Sequence, residues 1–296
     1  MSVAVVTTVY NRKDLMKRLY NSLLSQSNKD FEWYIVNDGS TDNLEELIDE
    51  IKKENKIKVI YIYQENGGKH RALNKAMSVI KNELTIIVDS DDYLTEDAIE
   101  TINKYYEKYK DDNDICGFCF LRAFSDGKIN GPKFKEDEYK ADYYTCRINE
   151  NVGGDKAEVV FTKCLKEYPF LEVPGEKFLS ERYLWGKLGL KYKMIYINKV
   201  IYNGDYLEDG LAKNHLRKKY ESPIGFIETQ KILCNKRVKF SKRLWPMIYY
   251  IAYSKIAKRS FKYQYNDVEF KFLFLALYLP GLFYKHLVEN KMKKTK

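Results

Sequence analysis

The sequence has little cysteine and no recognisable secretory signal at its start. Met1 leads directly into SVAVVTTVY, with no basic region and no small-residue cleavage site. The five cysteines among 296 residues are scattered and odd in number, which argues against a disulfide framework and indicates a reducing compartment. We therefore expect a cytoplasmic protein.

Cys116 and Cys119 are the one cysteine pair with the spacing of a metal or redox site. No second pair matches them, and they lie in the apolar stretch ICGFCFL. We interpret both as buried cysteines of a strand.

Glycine-rich nucleotide loops are also missing after the first apolar run. TTVYNR (7–12) contains no G-x-G-x-x-G pattern, which argues against a nicotinamide-dependent dehydrogenase. It also lacks the glycine-rich phosphate loop usual in nucleotidyltransferases that make nucleotide sugars. No internal repeat or low-complexity segment is present.

Positive charge is abundant but confined to one end of the chain. Residues 236–296 hold 15 Lys or Arg against three acidic residues, a net charge of +12. Since the whole chain carries +9, the first 235 residues carry −3. The apolar share of 45% and charged share of 31% are typical of soluble globular proteins.

The first 120 residues alternate between apolar runs and helical patterns. The runs are continuous and rich in Val, Ile and Tyr, which is typical of strands buried on both faces. They are VAVVTTV, FEWYIVND, IKVIYIY and LTIIVDS. Helical spacing follows in residues 13–25, 44–53 and 70–80, and a further helix is predicted to start at Thr95, an N-cap residue followed by acidic side chains. This alternation predicts βαβ units and a mostly parallel sheet, whose ligands bind beyond the carboxyl ends of the strands.

The pattern loosens between residues 121 and 215. We interpret this stretch as a continuation of the same domain that supplies the second wall of a cleft. The predicted organisation is one α/β domain at 1–215 and a basic, aromatic helical extension at 216–296.

Polar segments follow the predicted strands at TTVYNR (7–12), VNDGSTD (36–42) and VDSDD (88–92). Together with QENGGKHRALNKAM (64–77), they resemble the inverting glycosyltransferases of family 2. The resemblance covers residues 1 to about 120 and extends more loosely to about 215. It implies the GT-A fold, a Rossmann-like and mostly parallel sheet flanked by helices, and a nucleotide-sugar donor.

The carboxylates of VDSDD have a physical explanation in such an enzyme. A nucleoside diphosphate sugar brings phosphate charges that a divalent cation held by carboxylates would neutralise. Hard oxygen ligands suit Mn²⁺ or Mg²⁺. By the resemblance, Asp91 is a metal ligand, Asp89 assists the metal or orients the ribose, and Asp92 shapes the acceptor side or caps the next turn. An acidic loop that caps the helix at Thr95 is the alternative.

The resemblance also implies contacts to the base. Asp38 would accept a hydrogen bond from the uracil N–H, and Thr8, Tyr10 and Asn11 would flank the base. An Asx turn that closes the second strand is a compatible explanation for Asp38.

Gly68, Lys69 and Arg71 belong to the segment that contacts the diphosphate in the family. Glycines allow close approach of the backbone to a ligand, and the helix that follows offers its positive end to phosphate. His70 is either a further phosphate contact or a helix cap.

An inverting transfer needs a base that removes the proton of the acceptor hydroxyl. In VPGEKFLSERYLWGKL (173–188), Glu181 matches the family's carboxylate best and Glu176 is the reserve. A solvated helix charge is the alternative for Glu181. YLEDGLAKNH (206–215) resembles a downstream motif, in which Asp209 and Asn214 would form an acceptor or lid loop.

The basic tail interleaves cations with aromatic residues. Its apolar run 272–284 has 13 residues, fewer than the roughly 20 needed to span a bilayer. Such a segment suits the surface of an anionic membrane. Packing within the protein or in a homodimer is a compatible alternative. Binding of nucleic acid is disfavoured, since no recognition fold is visible.

These features predict a metal-dependent glycosyltransferase that moves a sugar, with inversion, from a UDP-linked donor to an acceptor hydroxyl. The acceptor would be a lipid-linked glycan of capsule or exopolysaccharide synthesis, at the inner face of the cell membrane. Two other classes stay open. A nucleotidyltransferase on a related fold would usually carry the missing glycine-rich loop, and a non-catalytic nucleotide-binding module would have lost Asp89 and Asp91.

Overall fold

The computed structural model describes residues 2–206 and 215–294. Its strands, in chain order, are β1 (Val3–Val9), β2 (Phe31–Asp38), β3 (Val59–Gln64), β4 (Leu84–Ile87), β5 (Tyr93–Leu94), β6 (Ile115–Ala123), β7 (Tyr139–Ala141), β8 (Lys156–Phe161) and β9 (Lys193–Asn203). Its α-helices are α1 (Met16–Leu24), α2 (Leu44–Glu54), α3 (Lys69–Val79), α4 (Ala98–Tyr109), α5 (Thr162–Glu167), α6 (Arg182–Lys191), α7 (His215–Glu221), α8 (Pro223–Leu233), α9 (Phe240–Ile256), α10 (Phe261–Asp267) and α11 (Lys271–Lys294). A 3₁₀ turn at Lys13–Leu15 precedes α1, and a π-helix spans Tyr144–Asn149.

One nine-stranded sheet organises the first two thirds of the chain. Its order is β3-β2-β1-β4-β8-β6-β9-β5, with β7 added to β9. The first four strands are parallel, as their apolar runs predict. The rest of the sheet is mixed, because β8 runs antiparallel to both β4 and β6. The α/β class is therefore confirmed, and the parallel pairing is concentrated in the N-terminal half.

The sheet brings several strand ends to one edge. Because β1, β2 and β4 are parallel neighbours, the residues after Val9, Asp38 and Ile87 lie together. The antiparallel β8 contributes its first residue, Lys156, to the same edge. The polar segments singled out in the sequence therefore share one edge of the sheet.

The helix predicted to start at Thr95 begins three residues later, at Ala98. Tyr93 and Leu94 pair with β9, and the Thr95 N–H donates to the carbonyl of Ile201 at 2.9 Å. The Thr95 hydroxyl donates to Asp97 instead of capping the helix. Pairing with a distant strand thus overrides the local helix-start signal.

Two hydrophobic clusters stabilise the chain. The larger one surrounds the sheet, and the smaller one is built from the C-terminal helices around Met247, Ile251 and Phe274. The boundary at residue 215 stays a prediction. Of the helices that the structure describes, α11 alone is long and apolar enough to cross a membrane, judged by length and composition.

Strand β6 depends on a glycine in its interior. Cys116 and Cys119 are both buried there, as expected from the sequence. Between them, Gly117 has a φ of +147°, and a Cβ at this position would lie 2.1 Å from the carbonyl oxygen of Val159 on β8. A side chain would therefore push β6 and β8 apart.

We expect Gly117→Ala to lower the free energy of unfolding by roughly 3 kcal/mol, since it adds backbone strain to a clash in the sheet. Gly127→Ala is the matched control: its φ is also positive, at +83°, but no atom lies within 4 Å of the added Cβ. Urea denaturation should show a loss of about 1 kcal/mol for the control. Equal losses in the two variants would contradict the account of β6.

Candidate active site at the carboxyl edge of the sheet

Lys69 joins the two sides of the site. At the start of α3, its Nζ lies 2.5 Å from Asp89 Oδ1, just after β4, and 2.6 Å from Glu181 Oε1, just before α6. Burial would lower the pKa of Lys69, but the charges of the two carboxylates raise it above its ordinary value. Burial alone would raise the pKa of Asp89, whereas the charge of Lys69 lowers it. Lys69 and Asp89 are therefore both ionised, and the contacts of Lys69 span the site from Asp89 to Glu181.

Asp89, Asp91 and Asp92 converge as the VDSDD motif predicts. Each offers an oxygen, and these oxygens all lie within 4.8 Å of one another. Burial, with the charge of Asp89 as a second cause, raises the pKa of Asp91. Within this group, the hard carboxylate oxygens of Asp89 and Asp91 fit a divalent cation such as Mg²⁺ or Mn²⁺.

Asp92 differs from the expectation of an acceptor or lid residue. Its side chain is 2% exposed, and both oxygens are paired: Oδ1 with Arg122 Nη2 at 3.0 Å and Oδ2 with the Tyr202 hydroxyl at 2.8 Å. Burial raises its pKa to about 7, although Arg122 opposes this shift. Asp92 is thus the buried member of the cluster, and its contacts anchor the motif to β6 and β9.

The anchor continues on both sides of Asp92. The Tyr202 hydroxyl accepts the backbone N–H of Asp89 at 3.0 Å, so the same tyrosine holds two residues of the motif. Arg122 also contacts Asp155 at 3.3 Å. At Gly204, a Cβ would lie 1.6 Å from Asp92 Oδ1, so a side chain there would displace the Asp92 carboxylate from its partners.

Arg122 is a site residue that the sequence analysis missed. It is the second-last residue of β6, in the run ICGFCFLRA, and is buried. A buried arginine requires a carboxylate partner, because an unpaired charge in the interior is very costly. An arginine closing an apolar strand was therefore the available signal, although the sequence does not indicate which carboxylate it pairs with.

The carboxylate of Asp38 accepts hydrogen bonds from the segment that precedes α3. Its Oδ1 accepts from Gln64 Nε2 at 2.7 Å and from the Gly67 N–H at 2.8 Å, and its Oδ2 accepts from Asn66 Nδ2 at 3.2 Å and from the Gly68 N–H at 2.9 Å. A carboxylate has about four lone-pair sites. In this conformation Asp38 shapes the glycine loop, and a base N–H would have to displace one of these donors.

Gly68 is the residue that brings this loop close to the opposite wall. Its φ is +94°, and a Cβ there would lie 2.0 Å from the carbonyl oxygen of Lys177. The Lys177 side chain also donates to Asn66 Oδ1 at 2.8 Å. The segment before Glu181 is therefore packed directly on the loop.

The three residues expected to flank a base lie at the end of β1. Thr8 is half-buried in the strand, and Tyr10 is 49% exposed just after it. Asn11 has a φ of +51° and pins the turn after β2, because its Oδ1 accepts from the Thr41 N–H at 2.7 Å. Tyr10 thus presents the aromatic surface of this wall.

Arg71 lies away from the carboxylate cluster. Two positions after Lys69 on α3, it points to another face of the helix. Its Nη2 donates to the carbonyl of Val173 at 2.6 Å, and its Nε lies 3.9 Å from Glu172. His70 lies between Lys69 and Arg71 in the sequence, and its side chain is buried, with 3% exposed. Of the cations in this segment, the structure brings Lys69 to Asp89.

Glu176 and Glu181 have different environments. Glu176 is 7% exposed, and its oxygens accept the N–H groups of Ile224 and Gly225, both at 2.8 Å, at the start of α8. It therefore caps a helix. Glu181 is half-exposed and faces Lys69. Geometry favours Glu181 as the carboxylate available to a substrate.

The predicted acceptor or lid residues Asp209 and Asn214 lie outside the residues that the structure describes. His215, the first residue of α7, stacks edge-on against Phe178 with ring centroids 6.2 Å apart. That contact places it next to the segment that carries Glu176 and Glu181.

Comparisons with known proteins identify the family of the chain. Residues 4–152 match the model of the family described as glycosyl transferase family 2. Glycosyltransferase GlyG of Streptococcus pneumoniae is 31% identical over 214 residues, which cover 68% of this chain and 69% of GlyG. Glycosyltransferase GlyA of the same organism is 27% identical over 216 residues, which cover 68% of this chain and 30% of GlyA.

The fold also matches a solved structure. The crystal structure of Staphylococcus aureus TarS 1-349 in complex with UDP-GlcNAc superposes with a TM-score of 0.64 at 18% identity, over 100% of this chain and 93% of that one. The expected GT-A fold is thereby confirmed. With the family match over half its length, the chain belongs to glycosyltransferase family 2.

Proposed function

We propose that the protein transfers a sugar with inversion from a UDP-linked donor to an acceptor hydroxyl. The observation that carries the proposal is the contact of Lys69 with both Asp89 and Glu181. It supports the proposal because it joins a lysine that would bind phosphate to one carboxylate that would bind a metal and to another that would act as the base. The complex of TarS with UDP-GlcNAc supports a uridine nucleotide as the donor's carrier.

Asp91 and Asp89 are the residues that would hold Mn²⁺ or Mg²⁺. The bound cation would supply Lewis-acid neutralisation of the diphosphate. Asp92 supports this pair from below through Arg122 and Tyr202. Such supporting contacts orient ligating carboxylates and are typically worth a 10–100-fold change in metal affinity.

The nucleotide would lie over the ends of β1 and β2. Tyr10 would stack on the base, with Thr8 and Asn11 beside it. Asp38 reaches a base N–H when Gln64 or Asn66 turns away, which leaves the Gly67 and Gly68 amides in place. The diphosphate would then bind Lys69. Arg71 would stabilise the glycine loop before α3 through its hydrogen bond to the carbonyl of Val173.

Glu181 is the proposed base. Phosphate oxygens of the donor would compete for Lys69 and so release the carboxylate. Glu181 then takes the proton of the acceptor hydroxyl as that oxygen bonds to the anomeric carbon. The bond from this carbon to the diphosphate breaks, and UDP leaves with the electron pair.

The acceptor is proposed to be a lipid-linked glycan of capsule or exopolysaccharide synthesis. The net charge of +12 over residues 236–296 supports a site of action at the cytoplasmic face of a membrane. The reaction itself depends only on the hydroxyl of the acceptor.

Asp91→Asn should lower the rate at which donor hydrolysis releases UDP about 100-fold. The reason is that a weakened metal site costs several kcal/mol of charge stabilisation. UDP-, GDP- and dTDP-sugars would be assayed with Mn²⁺ or with EDTA. Asp126→Asn, an exposed turn carboxylate, is the control and should match the wild type. Release that persists in EDTA would contradict the metal assignment.

Glu181→Gln should lower the kcat of donor hydrolysis by about 10²–10⁴-fold, because water then loses its base. Calorimetry should show nearly unchanged binding of UDP. Glu176→Gln should behave in the opposite way: kcat holds, whereas the free energy of unfolding falls by about 1–2 kcal/mol as the α8 cap weakens. A kcat loss confined to the Glu176 variant would reverse the assignment.

A further inference from the structure

The outward face of α11 is apolar over most of its length. Five large hydrophobic side chains recur every three or four residues, so they lie on one side of the helix. They are Phe272, Leu275, Leu279, Phe283 and Leu287, with Phe272 88% and Leu279 74% exposed. The stripe spans 16 residues, or about 22 Å of helix from the first to the last. We call these five residues the α11 face.

The inward side of the same helix packs against the other C-terminal helices. Leu273, Phe274 and Val288 are buried in the C-terminal cluster. Gly281 packs on α9 so closely that a Cβ would lie 2.5 Å from the Ile251 side chain. The helix therefore cannot rotate to hide the α11 face without opening this core.

An exposed tryptophan adjoins the α11 face. Trp245 on α9 is 59% exposed, and its ring packs edge-on against Tyr284 of α11 with centroids 6.3 Å apart. Lys242 lies one turn earlier on α9, and Lys291 and Lys294 close the last turn of α11. Aromatic and basic side chains thus border the apolar stripe.

The charge of the C-terminal segment that carries the stripe indicates the kind of partner it binds. Among residues 236–294, nine exposed charged side chains are basic and one, Glu269, is acidic. The basic ones are Lys236, Arg237, Lys239, Lys242, Lys258, Lys262, Lys291, Lys293 and Lys294. In a two-fold dimer through the α11 face, two copies of this positively charged segment would approach and repel each other. An anionic lipid surface satisfies both the apolar stripe and the charge.

We propose that the α11 face docks on anionic membrane lipids, with the helix lying in the plane of the interface. A spanning orientation would strip α11 from α9 and expose Phe274 and Ile251, which are buried. The docking rests on this surface and not on the proposed reaction. If that reaction holds, docking brings the cleft to acceptors carried by lipids.

The test is flotation of the full chain with two kinds of vesicle. One is phosphatidylcholine alone, and the other contains about 30% phosphatidylglycerol, an anionic lipid. We expect flotation with the anionic vesicles at low salt and its loss at high salt. Leu279→Glu should lower the partition coefficient about tenfold or more.

Leu190→Glu is the matched control, because Leu190 is an exposed leucine on α6, outside the C-terminal helices. It should float like the wild type, and thermal melting should show both variants folded. Failure of the wild type to float with anionic vesicles at low salt would overturn the proposal, as would equal flotation of Leu279→Glu. A wild-type dimer that Leu279→Glu dissociates, without lipid binding, would instead assign the face to a second copy of the chain. None of these readouts depends on enzymatic activity.

Discussion

Like-charge repulsion among carboxylates is the constraint on which this site depends. The turn after β4 collects three aspartates, and such a cluster is stable only where cations offset it. Lys69 of α3 pairs with Asp89, and Arg122 of β6 pairs with Asp92. Each cation ties a different part of the chain to the same turn. The pairing of these aspartates with cations therefore helps to hold α3 and β6 next to the turn after β4.

The two cations serve the site in different ways. Arg122 is buried, paired with Asp92 and shielded from solvent, so it acts as a permanent support of the fold. Lys69 is only partly shielded and has a second carboxylate, Glu181, on its other side. A partly exposed ion pair exchanges partners at modest cost. We infer that Lys69 can pass to phosphate when a donor arrives, whereas Arg122 stays in place.

The sequence predicted the layout well, because strand ends in a parallel sheet share one edge. It could not predict which of these side chains would make structural contacts and so be unavailable to a substrate. Glu176 and Glu181 are five residues apart and chemically alike, yet one caps a helix 48 residues away in sequence and the other faces the cleft. Arg71 likewise follows Lys69 by two positions but turns to Val173. Such differences arise from tertiary contacts that no local pattern encodes.

We infer that Lys69 links the proposed metal ligand Asp89 to the proposed base Glu181 until a diphosphate replaces Glu181 as its partner. A crystal structure with UDP and Mn²⁺ would test it most directly. We expect the Lys69 ammonium to lie within about 3 Å of a phosphate oxygen and no longer to contact Glu181. A complex in which bound UDP leaves Lys69 between Asp89 and Glu181 would contradict it.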